Sequence, residues 1–111
     1  HRRLLEKKNR GEIVGISAKD LVEQFNHQDG KCFYTDIEMV WGWHGTGLDY
    51  EKNVSIDKVI PAKGYIKGNV VLCCYEANST KGKLTFEKLQ KWMPSWYERI
   101  QKYLSENTNS V

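Results

Sequence analysis

Proline is scarce, with two residues in 111, and no apolar run approaches the roughly 18 residues that a membrane-spanning helix needs. The lack of proline, set beside 12% aromatic residues, excludes a disordered linker and leaves enough large side chains for a core. Cysteine is limited to Cys32, Cys73 and Cys74, an odd number with two adjacent, which excludes a disulfide framework and points to buried thiols in a reducing, intracellular compartment. Charge of one sign is also missing, since Lys+Arg 17 face Asp+Glu 14 for a net charge of +3. No secretory leader is visible, and a chain opening on His1 and HRRLLEKKNR reads as part of a longer polypeptide.

What charge there is lies in blocks. Arg2, Arg3, Lys7, Lys8 and Arg10 form one, while Lys63, Lys67, Lys81 and Lys83 form another. Folded onto one side they would make a phosphate-facing surface, and apart they are solvated faces. We divide the chain into a basic arm over about 1–16, one domain over 17–104 and a polar tail over 105–111 that frays. Ser17 is placed to cap a helix with Leu21, Val22 and Phe25 on one face, stopped by Asp29-Gly30. KCFYTD reads as a brief strand or knuckle, and the glycine-rich stretch from Glu38 to Asn53 as a loop or irregular hairpin.

VSIDKVI and NVVLCC then read as two antiparallel strands, followed by a short helix over Tyr75 to Lys81 closed by Gly82. Thr85 caps a longer helix over about 85–104, in which Leu89, Trp92, Trp96, Ile100 and Tyr103 share a face and Pro94 kinks or splits the run. Trp92 and Trp96 are expected in the core, and Trp41 and Trp43 as loop-packing residues or a wedge against a groove.

Three polar residues sit where such a unit would build a site: Asp57 on the first strand, Asn69 entering the second and Asn78 on the short helix. A carboxylate and a carboxamide oxygen brought together are hard ligands of the kind that suit Mg²⁺ or Mn²⁺. Asn69 has an equal claim to a structural role, bracing its own hairpin.

Over SIDKVIPAKGYIKGNVVLCCYEANSTKG, with KCFYTD upstream, the sequence resembles the HNH (His-Me finger, ββα-metal) endonucleases. The resemblance implies an α+β fold of the ββα-metal type, its core at about 54–82 with added helices at both ends. It also implies metal-dependent hydrolysis of DNA phosphodiester bonds, with one Mg²⁺ or Mn²⁺ held by Asp57 and Asn78 and double-stranded DNA as the partner, and the protein itself is expected to be cytoplasmic or nucleoid-associated. Lys58 stands where the family has its water-activating histidine. Protonated lysine is no base near neutral pH, so Lys58 acts only with a strongly lowered pKa or as an electrostatic stabiliser. His44 is the first substitute base and His27 a distant second.

DNA backbone contacts are expected from Arg2, Arg3, Lys7, Lys8, Lys63, Lys67, Lys81 and Lys83. Lys81 and Lys83 have a second reading, as partners of the helix-end dipole. The family's two cysteine knuckles are half present, Cys32 with Thr35 and Cys74 with Ala77, so no structural zinc is expected and Cys32 and Cys74 pack as small hydrophobes, with Cys73 in the core. A DNA-binding module that has lost the chemistry explains Lys58 as economically as an active nuclease does. A protein-interaction domain using the tryptophan-bearing C-terminal helix is a third reading.

Overall fold

The structure, a computed structural model, describes residues 13–41 and 50–108. They form a small mixed α+β globule of four helices and two two-stranded sheets. In chain order these are β1 (Val14–Gly15), α1 (Ala18–His27), β2 (Val54–Lys58), β3 (Tyr65–Ile66), β4 (Val70–Cys74), α2 (Tyr75–Lys81), α3 (Phe86–Trp92) and α4 (Pro94–Thr108), with short 3-10 turns at Tyr50–Lys52 and Pro61–Lys63.

Helix α1 begins as its sequence dictates. Ser17 Oγ accepts from Asp20 N and Ser17 N donates to the Asp20 carboxylate, a reciprocal capping box. Asp29 and Gly30 end it at φ 54° and 70°. Leu21 is buried and Phe25 half-buried, but Val22 faces solvent, because adjacent helical positions lie about 100° apart and cannot share one narrow face.

β2 and β4 pair antiparallel, Val54 opposite Cys74 and Asp57 opposite Val71. β4 is buried throughout, and the core gathers around it from Leu21, Cys32, Tyr34, Leu89 and Ile100. Among the described residues no strand lies beside its outer edge, and side chains take the outward backbone groups there. Tyr103 Oη donates to Val70 O and accepts from Val70 N, and the Gln28 amide does both for Leu72. Cys32 Sγ accepts from Cys74 N at 3.3 Å. Such an edge cannot recruit a further strand.

Several expectations need correction. Residues 13–16 are not all loose arm: β1 pairs parallel with β3, and Tyr65 N donates to Ile13 O at 2.8 Å. That crossing explains Gly64, which sits at φ 74° where a Cβ would fall 2.6 Å from Ile13 Cβ. Gly82 closes α2 at an ordinary right-handed φ of −62°, so no left-handed cap is involved. At Pro94 the second of the two expected outcomes holds: the C-terminal run is split into two helices at Met93, since Pro94 lacks the N–H that would continue the ladder. The break turns Trp92 outward, 68% exposed, while Trp96 stays buried. Finally, residues 105–108 of the stretch read as a polar tail are helical, because α4 runs on to Thr108.

Candidate functional site

β4 passes into α2 without a loop, and Tyr75 N donates to Asn53 O at 2.8 Å, laying the helix back across β2. On β2, residues two apart share a face; on α2, residues three apart do. Ser55 and Asp57 therefore meet Asn78 and Lys81 as two adjoining rungs. Asn78 Nδ2 donates to Ser55 Oγ at 2.7 Å and to Ile56 O at 3.3 Å. Lys81 Nζ lies 2.9 Å from each Asp57 carboxylate oxygen.

The face of β2 turned inward is consequently its polar one: Ser55 and Asp57 are buried, as is Val59 just beyond the strand, whereas Val54, Ile56 and Lys58 are half-buried. Lys81 Nζ also donates to Lys58 O at 3.1 Å and Val59 O at 3.2 Å, so its whole donor set is used inside the protein. Tyr34 Oη completes the cluster by donating to Asp57 Oδ2, its ring stacked on Trp96 with centroids 4.9 Å apart. Burial pushes the Asp57 carboxyl up, opposed mainly by the Lys81 ammonium. Burial beside that carboxylate also pushes the Tyr34 hydroxyl well above its ordinary range.

Against the sequence reading, the structure brings Asp57 and Asn78 to one strand–helix interface but engages them internally. Lys81, expected against DNA phosphate, is buried instead, because an ammonium beside a buried carboxylate is held far more strongly than one in water. As arranged, these residues do not fit a divalent cation: the carboxylate is already neutralised by an ammonium 2.9 Å away, and a metal there would meet that charge. Among the described residues no group of three or more His, Cys, Asp or Glu is arranged so that it could hold a metal ion.

Asn69 is buried and spent on its own hairpin. Its Nδ2 donates to Ile60 O and Gly64 O, and its Oδ1 accepts from Ile60 N, which fixes the connection between β2 and β4. Lys58 extends over the Tyr65 ring, 4.9 Å from its centroid. Lys63, Lys67 and Lys83 are exposed, with Lys67 3.6 Å from Asp20. The two half knuckles do meet, since Cys32 and Cys74 are buried together, and Cys73 is buried as well; burial beside Cys32 pushes the Cys74 thiol up to about 12. His27 is exposed at the end of α1. Trp41 rests on Phe25, centroids 4.6 Å apart. Arg2, Arg3, Lys7, Lys8, Trp43 and His44 lie outside the described residues.

Sequence reasoning missed Tyr34, Gln28 and the Arg99–Asp36 pair. Arg99 holds Asp36 through two N–H groups at 2.7 and 3.0 Å and donates to Phe33 O at 2.9 Å, fastening α4 to the KCFYTD turn. The one available signal was Asp36 in a turn, which stands at φ 63°. Nothing local ties Tyr34 to a partner 23 residues away. No helix among the described residues is long and apolar enough to cross a membrane. Searches of protein-family models, curated proteins and solved structures returned no match to this chain.

Proposed function

We propose that this chain is a DNA-binding module of the HNH, ββα-metal type, in which a buried ion pair has taken over the position of the metal chemistry. One observation carries the reading: Asp57, the acid on the inner face of the strand–strand–helix unit, is neutralised internally by Lys81. Val54 to Leu84 holds five lysines against two acids, Asp57 and Glu76. With Asp57 and Lys81 cancelling each other, Lys58, Lys63, Lys67 and Lys83 are left against Glu76 alone.

The placement of Lys58, Lys63 and Lys83 supports a common face, while Lys67 lies beside Asp20 of α1. Lys81 reaches the Lys58 and Val59 carbonyls, so the end of α2 that leads to Lys83 adjoins the end of β2 that leads to Lys63. Lysines grouped in this way grip phosphates, giving affinity that falls with salt and reads little sequence.

A second reading is metal-dependent hydrolysis of DNA phosphodiester bonds, with Mg²⁺ or Mn²⁺ held by Asp57 and Asn78. It is favoured by their adjoining rungs and by the side-chain Oδ1 of Asn78, which no hydrogen bond takes among the described residues, and it requires Lys81 to leave the Asp57 carboxylate. Plasmid nicking over Mg²⁺, Mn²⁺, Ca²⁺ and EDTA, run beside duplex binding in EDTA, separates the two. Binding in EDTA without nicking in any metal supports the module. Nicking that needs metal and is lost in Asn78→Ala selects the nuclease, and absence of duplex binding at low salt refutes both.

A further inference from the structure

We propose that the cavity between α1 and α4 binds a nucleoside 5′-monophosphate, at a site separate from the lysines of the hairpin. The cavity measures about 450 Å³, within the range of small-molecule sites. Its floor is the capped edge of β4, where Gln28 and Tyr103 are already committed to Leu72 and Val70. Those groups are rigid and unavailable, so recognition falls to the walls.

The walls sort by chemistry. Lys31, from the turn after α1, and Arg99 and Lys102, from α4, line it, and Arg99 reaches the KCFYTD turn at Phe33 O. Lys31 and Lys102 are exposed, and their Nζ groups take no hydrogen bond or ion pair among the described residues. Arg99 is held in place by Asp36, which orients its guanidinium while cancelling most of its charge. Two carboxylates also line the cavity, Asp36 engaged by Arg99 and Glu106 one helical turn beyond Lys102, so a phosphate is left to Lys31 and Lys102.

The remaining wall suits a flat heterocycle. Phe33 is half-buried and lines the cavity beside Tyr103, the two rings edge to face with centroids 5.8 Å apart. Gln24 gives one N–H to Gln28 at 2.8 Å, leaving a second N–H and its carbonyl oxygen for the edge of a base. Two uncommitted cations, an aromatic wall and one carboxamide with a free donor and acceptor match phosphate, ring and ring edge in turn. The ligand is either a free nucleotide or the terminal nucleotide of a phosphorylated strand.

The test titrates the whole chain with deoxyadenosine 5′-monophosphate, deoxyadenosine, inorganic phosphate, and a short single strand with and without a 5′-phosphate, followed by backbone amide NMR and calorimetry. The expected result is a Kd of about 1 mM or tighter for the mononucleotide or the phosphorylated strand. Shifts should centre on Gln24, Lys31, Phe33 and Lys102, and deoxyadenosine and phosphate alone should bind at least about tenfold more weakly. Lys31→Gln/Lys102→Gln should weaken binding about tenfold with unchanged melting, whereas Lys88→Gln/Lys91→Gln, at exposed positions of α3, should leave it intact. Binding by the free mononucleotide assigns that source; binding confined to the phosphorylated strand assigns a strand end. No saturable binding, equal binding of phosphate and mononucleotide, or indifference to the Lys31 and Lys102 changes would overturn the proposal. Duplex affinity in EDTA, measured in parallel, reports separately on the module.

Discussion

Replacing Lys81 by methionine would leave the Asp57 carboxylate buried with Tyr34 as its hydrogen-bond donor and no cation. Asp57 is 5% exposed and Lys81 7%, so water cannot take over the role of the ammonium. Removing one partner from a buried pair costs about 3–5 kcal/mol, against a total stability of about 5–15 kcal/mol for a domain of this kind. The expected fall in Tm is on the order of 12–20 °C. The loss should depend on pH in a definite direction. Burial already raises the Asp57 carboxyl, and without Lys81 the largest opposing influence is gone. Between the unfolded value of about 3.9 and the raised folded value, the native state binds the extra proton, so stability falls as pH rises. The deficit of Lys81→Met is therefore largest at about pH 8 and shrinks toward about pH 4. Urea unfolding at several pH values, for Lys81→Met, Asp57→Asn and the double variant, measures both effects. A coupling of about 2 kcal/mol is expected, with the double variant recovering most of the loss. Additive single effects, or a Lys81→Met deficit independent of pH, would refute the reasoning.

Three further outcomes follow from the packing. Arg99 holds the Asp36 carboxyl below its ordinary value, so the pair contributes above about pH 4 and is lost as pH falls through the lowered value. Being largely exposed, it should give Arg99→Gln a deficit of about 1 kcal/mol in urea midpoints at neutral pH, part of it from the bond to Phe33 O, and less in acid. Gly64→Ala should cost at least about 1–3 kcal/mol by the same assay, since β1 occupies the space its methyl needs. Trp96→Ala should cost about 3–5 kcal/mol and Trp92→Ala within about 0.5 kcal/mol of nothing, read as Tm differences by circular dichroism.

The local parts of the fold were legible in the sequence because local chemistry writes them. Ser17 and Thr85 cap helices, Asp29-Gly30 and Pro94 stop or break them, and the β-branched run of NVVLCC forms the buried strand. Tertiary partners were not. The alternation in VSIDKVI marks two faces without saying which one a helix will cover, so the inward polar face of Ser55 and Asp57 could not be read. Lys81 shows the same limit: a lysine at a helix end reads as a surface cation until the helix is laid across the strand that carries its carboxylate. Likewise the spacing of Trp92 and Trp96 implies a shared face only while the helix is continuous. Of the candidate site, the convergence of β2 and α2 was foreseeable from spacing; the occupant of Asp57 was not.

The most direct test of the proposed module is the salt dependence of binding to a labelled DNA duplex in EDTA, followed by fluorescence anisotropy. The expected result is metal-independent binding whose log K falls linearly with log salt, the slope becoming shallower by about 0.9 for each phosphate contact removed in Lys63→Gln, Lys67→Gln and Lys83→Gln. No binding at low salt, or a slope unchanged in all three variants, would contradict it.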